Sequence, residues 1–196
     1  MQDAIAIMKA EHRALGAVLH ALLGIVDDLA LHRADPDFDT LRTMIDYIDR
    51  YPNRFHHPKE DWYLFRLLRF RAQDVGGLLD ALEAEHRQNT ALMEGMRRAL
   101  ERYASHPADQ SALQTFRELV RQYAEFHWSH MRLEEEQVFP LAEARLLPQD
   151  WDEINTAFRD NRDPLIGCEA KEQYQEMLRR ITAAVPPPFG VGDSRS

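Results

Sequence analysis

Two parts of this 196-residue chain repeat each other at an offset of 74 residues, and the repeat carries histidine. The tetrapeptide AEHR stands at 10–13 and again at 84–87. The same offset takes His56 to His130, Glu60 to Glu134, Ile5 to Leu79, Met8 to Leu82 and Phe65 to Phe139. Each half therefore offers one histidine (His12 or His86), followed 44 residues later by a His-x-x-x-Glu element. Two hairpins of equal length and matched register close most simply into an up-down-up-down four-helix bundle.

The apolar spacing agrees with that reading. Ile5, Met8, His12, Leu15, Leu19, Leu22, Val26 and Leu29 step by three and four, which is the seam of a long helix with one histidine inside it. Asp35-Pro36 reads as an N-cap with proline at the first position of a second helix. That helix carries Leu41, Ile45, Ile48, His56, Glu60, Leu64 and Leu67. Pro52 and Pro58 fall inside it, and the pattern resumes in register afterwards, so a kink or local bulge is expected rather than a break. A third helix runs from about Leu79 to Tyr103, and a fourth from Leu113 past Leu141. Asp150 and Glu153 have capping-box spacing, which predicts a short helix from about Trp151, and a further one is expected over 169–182. The resulting division is an all-α bundle over residues 1–147, a short C-terminal helical extension over 148–185 and a loose tail over 186–196.

The residues that carry chemistry lie on the seams. A separation of four places His56 and Glu60 on one helix face, and likewise His130 and Glu134. With His12 and His86 they form one inward-facing layer of six. A single core histidine is an ordinary structural residue, but a layer of histidines and acids with no lysine or arginine leaves buried charge unpaired. Bound cations resolve this, since neutral imidazole and carboxylate are ligands for iron, manganese or zinc. Two His-x-x-x-Glu elements around a symmetric bundle point to two ions bridged by the glutamates.

These motifs, AEHR at 10–13 and 84–87, FHHPKEDWYLF at 55–65 and HMRLEEEQVFPLA at 130–142, resemble the hemerythrin-like HHE cation-binding family of bacterial type. The resemblance implies a non-haem di-iron centre with an oxo or hydroxo bridge, with zinc or manganese as less favoured occupants. Carried over by motif, the metal ligands are His12, His56, Glu60, His86, His130 and Glu134. Oxygen-carrying members use five histidines, and only four match here. His127, on the seam one turn before His130, is the first candidate for an additional ligand or a supporting residue. His57 is the second, because on an ideal helix it points about 100° away from His56 unless the Pro58 kink turns it inward. Glu135 and Glu136 read as surface acids, His20, His32 and His106 as solvated, and Met8, Met93 and Met96 as core filler.

The remaining features narrow the function. A net charge of −9 argues against nucleic acid or an anionic membrane surface as partner. The single cysteine, Cys168, excludes an internal disulfide and a cysteine-rich metal site. The N-terminal stretch lacks a long apolar run, which reads as cytoplasmic. The leading expectation is a protein that binds or senses oxygen, a related diatomic such as NO, or iron status. The alternatives are a di-iron redox enzyme acting on peroxide or nitric oxide, and a structural zinc bundle. No acid-base or nucleophile constellation stands apart from the metal layer.

Overall fold

A computed structural model describes residues 3–160 together with Asp163 and Leu165. The expected helix over 169–182, the tail and Cys168 lie outside these residues. The described chain is all-helical, with no strand. The first helix is Asp3–Ala30. A second helical run covers residues 38–71, a third helix is Gly76–Ser105, a fourth run covers residues 110–145, and a fifth helix is Pro148–Arg159. A short 3-10 turn, Gln73–Val75, joins the second run to the third helix.

Two helix starts differ from expectation. The second run begins at Phe38, and its cap is Asp37, whose side chain accepts from the Thr40 backbone N–H at 3.0 Å and from the Thr40 hydroxyl at 2.9 Å. Pro36 therefore precedes the cap instead of opening the helix. The fifth helix begins at Pro148, earlier than Trp151. Proline suits a first turn, where its missing N–H would have no partner anyway. Asp150 lies inside this helix, accepting the Leu147 N–H at 2.8 Å and pairing with Arg71.

Two residues beyond the first helix the chain enters the left-handed region, at His32 with φ 53°. The His32 N–H reaches back to Leu29 and the Arg33 N–H to Asp28, which gives partners to two of the carbonyls in the last turn.

The proline-bearing stretch is a bulge, as expected. Asp49–His56 is π-helical, and the His57 N–H bonds to the Pro52 carbonyl five residues back. Pro52 has no N–H to give and crowds the preceding turn, and one added residue per turn relieves both. Two further π-turns were not foreseen. They are Glu60–Phe65 and Glu134–Val138, and they occupy matching places in the repeat.

The first helix packs along the fourth run, and the third helix packs along that run as well. The apolar core falls into two clusters. One holds Leu19, Leu22, Tyr47, Ile48, Met96, Phe116 and Tyr123, and the other holds Met8, Phe65, Leu82, Phe139, Trp151 and Phe158. Each of the four long helical segments passes from one cluster to the other across the stretch that carries its histidine or acid. A polar layer thus divides the core. The fifth helix extends the second cluster through Trp151, Ile154 and Phe158, and its buried Asn155 accepts the Ala4 N–H at 3.0 Å, capping the first helix.

The cap assignment is testable by substitution. Asp37→Ala is expected to destabilise the protein by about 1 kcal/mol, lowering its melting temperature by roughly 2–4 °C. Asp35→Ala should leave thermal unfolding unchanged, and the reverse ranking would contradict the assignment.

Candidate metal centre

Each residue of the polar layer is placed by local helix geometry. His56 and Glu60 are one turn apart, with Nε2 3.1 Å from Oε1. His130 and Glu134 repeat this at 3.2 Å. Both glutamates have 0% exposure. Glu60 also lies 3.9 Å from His12 and 3.7 Å from His86, and Glu134 lies 3.4 Å from His12 and 3.8 Å from His86. Each acid therefore reaches both halves of the repeat. All six residues expected from sequence stand within one small volume.

The outer nitrogens fix the chemistry of the inner ones. His12 Nδ1 meets Glu135 at 2.9 Å, His56 Nδ1 meets Glu11 at 2.6 Å, His86 Nδ1 meets Asp61 at 2.8 Å and His130 Nδ1 meets Glu85 at 2.7 Å. A carboxylate only accepts, so each Nδ1 carries the hydrogen. In a neutral ring, Nε2 then presents its lone pair to the centre. There the rings meet head to head, with His12 and His56 Nε2 3.1 Å apart and His86 and His130 Nε2 3.0 Å apart. Lone pairs facing each other beside buried acids are favourable only with positive charge between them.

The same demand shows in the titration of the side chains. Burial alone would lower the pKa of His12, but Glu134 and Glu135 outweigh it and hold it raised. Burial is likewise overcome at His56, by Glu60 and Glu11. Burial also opposes the charge on His130, yet Glu134 and Glu85 push its pKa up to about 10. Burial would raise Glu134, whereas His130 and His12 hold it well below the usual carboxylate range. Without metal, protons take the part of the cation.

Donor atoms from two groups come together closely enough to share an ion. One group is His12, His56, Glu60 and Glu134, and the other is His57, Glu60, His86 and His130. Glu60 belongs to both. Of the two further histidines weighed from sequence, His57 belongs to the second group and His127 to neither. The widened turn before it brings His57 into the core beside His56, and its ring stacks on His86 at 4.3 Å. Burial and the surrounding histidines keep His57 well below the ordinary histidine pKa, so its ring is neutral.

His127 stands one layer away. Its Nε2 lies 3.1 Å from Asn89 Oδ1, so Nε2 carries the hydrogen, and Asn89 in turn donates to Asn53 at 2.6 Å. Its ring lies parallel to that of His57, at 5.7 Å. Burial and nearby histidines hold its pKa well down. The offset of 74 pairs His127 with Asn53, so this contact belongs to a place where the halves differ.

Sequence reasoning passed over the four outer carboxylates and read Glu135 as a surface acid. The repeat held the signal, because 74 residues separate Glu11 from Glu85 and Asp61 from Glu135, an acid at every position.

The residues fit a metal pair on a direct observation. All four carboxylate oxygens of Glu60 and Glu134 are buried without a hydrogen-bond partner. A buried acid in that condition costs several kcal/mol unless a cation meets it. In metal-free protein the raised His130 stabilises the fold fully below its unfolded pKa of 6.5, and that contribution is lost as pH rises towards about 10. His12 and His56 act in the same direction. Metal-free protein is therefore expected to lose melting temperature between pH 6.5 and about 10, and metal-loaded protein to hold it. A flat profile without metal would contradict the geometry.

The family described as the hemerythrin HHE cation binding domain matches residues 3–142. Neither the curated proteins nor the solved structures yield a match to the chain. The matched span holds both halves of the repeat and every histidine and acid of the layer, and the chain belongs to the hemerythrin HHE cation-binding family.

Proposed function

We propose that this protein is a non-haem di-iron protein that binds or senses oxygen, a related diatomic such as NO, or iron status. In this reading residues 1–147 form an up-down-up-down bundle around two iron ions. Glu60 and Glu134 would hold the ions between them, with His12 and His56 as further ligands on one side and His57, His86 and His130 on the other. The observation that carries the proposal is the set of four orphaned carboxylate oxygens ringed by imidazole Nε2 atoms. Nitrogen and oxygen donors without thiolate suit iron, zinc or manganese, and membership of the hemerythrin family favours iron among them.

Ferrous ions supply the electrons and the coordination position that a small oxidant needs. The chain supplies everything else. Glu11, Asp61, Glu85 and Glu135 hold the four rings in one tautomer and orientation. The two apolar clusters above and below the layer exclude water and lower the local dielectric. The asymmetry between the two sides chooses where a small molecule enters. The side with His57 has three imidazoles and a stacked wall of rings. The side with His12 and His56 has two, and beside it lies a cavity of about 20 Å³ whose lining mixes Leu15, Tyr51, Phe55 and Met131 with the charged Glu11, Lys59 and Asp163 and with the rings of His12, His56 and His57. A space of that size admits one water or a diatomic.

No described helix is long and apolar enough to cross a membrane. We place the protein in the cytoplasm, where reduced iron is most readily kept.

Protein reconstituted with ferrous iron under anaerobic conditions and then exposed to air is expected to develop near-ultraviolet oxo-to-iron charge-transfer absorption. Tight zinc binding with no oxygen-dependent absorption would contradict the proposal. Turnover of peroxide or nitric oxide well above free iron would move it to the enzymatic reading.

A further inference from the structure

The repeat has one break at the metal layer itself. Adding the offset of 74 to His57 gives Met131. A thioether thus stands where the other half supplies an imidazole. Met131 has 8% exposure. It borders the small cavity that also touches His12, His56 and His57. It also borders an outer groove of about 470 Å³, together with His12, Gly16, Trp128 and Glu135. A Cβ built on Gly16 would meet nothing within 4 Å, so this part of the groove is open above the helix. Met131 and His12 are therefore the residues that stand between the outer groove and the small cavity beside the layer.

Its chemistry suits the place. A thioether is soft and a poor ligand for iron in a site of nitrogen and oxygen donors. It is also the one group among the residues bordering both spaces that peroxide oxidises readily. In that reaction the peroxide O–O bond breaks and one oxygen bonds to sulfur. The other leaves as water, sulfur is oxidised by two electrons and peroxide is reduced by two. The product sulfoxide carries a hard oxygen donor where there was a soft sulfur.

We propose that Met131 is a peroxide-modification site that regulates the metal centre. Hydrogen peroxide entering from the groove converts Met131 to the sulfoxide, whose oxygen then closes the position that a small ligand would take beside His12 and His56. The inference rests on the di-iron reading. The four other described methionines, Met8, Met44, Met93 and Met96, are at most 3% exposed, and none borders both spaces.

The test uses the full chain loaded with iron, limiting hydrogen peroxide and peptide mass spectrometry, with azide as a spectroscopic probe of the open position. Met131 is expected to gain oxygen at least about tenfold faster than Met8, Met44, Met93 and Met96. Azide binding should fall in proportion to that oxidation and return after enzymatic reduction of the sulfoxide. The Met131→Leu protein should bind azide before and after the same peroxide treatment. Oxidation of Met131 at the rate of the other buried methionines would overturn the inference, as would unchanged azide binding with Met131 fully oxidised. An untreated loaded protein with no azide-dependent band would instead overturn the di-iron reading beneath it.

Discussion

Two glutamate side chains with no solvent exposure, set in the middle of an apolar core, dictate most of this structure. An isolated buried carboxylate is among the most costly groups a fold can contain. Here there are two, within reach of each other's histidines, and among the described residues no lysine or arginine pairs with either. The core could have been continuous, but it is divided so that this layer can exist. His12, His56, His86 and His130 are turned so that each Nε2 faces inward, and an outer ring of four acids holds them there. Positive charge at the centre is the condition under which these contacts are all favourable together.

The repeat makes the two halves alike, and its breaks make them unequal. Histidine, glutamate and outer acid recur at the same offset in both halves, which yields two nearly equivalent sides. Equivalence fails at His57 against Met131 and at His127 against Asn53. The first break gives one side a third imidazole and sets Met131 beside a small cavity that His12 and His56 border. The second places a buried His-Asn-Asn contact next to the layer, where it fixes the tautomer of His127 and the packing of the ring against His57.

Much of this was legible in the sequence. The seams, the six converging residues and the bulge at the prolines followed from periodicity and from the backbone chemistry of proline. What was not legible depends on departures from the ideal helix. A rotation of 100° per residue sets His57 apart from His56, and only a π-turn brings both inward. The sequence signals a disturbance at Pro52, but not how many residues the turn will take. The π-turn at Glu134–Val138 has no such marker within it. Asp35 and Asp37 flank the same proline and are equal as caps in sequence. Which one caps depends on the path of the chain leaving His32. The outer acids were hidden for another reason. A surface glutamate and one that reaches back to a buried ring look alike until the neighbouring helix is in place.

The most direct measurement is diffraction from crystals of the iron-loaded protein at wavelengths on either side of the iron edge. Two anomalous peaks are expected between Glu60 and Glu134, one against His12 and His56 and the other against His57, His86 and His130. In the His57→Ala protein the second peak should weaken, while His127→Ala should retain both. Anomalous density that is absent from the layer, or that lies elsewhere on the protein, would contradict the account.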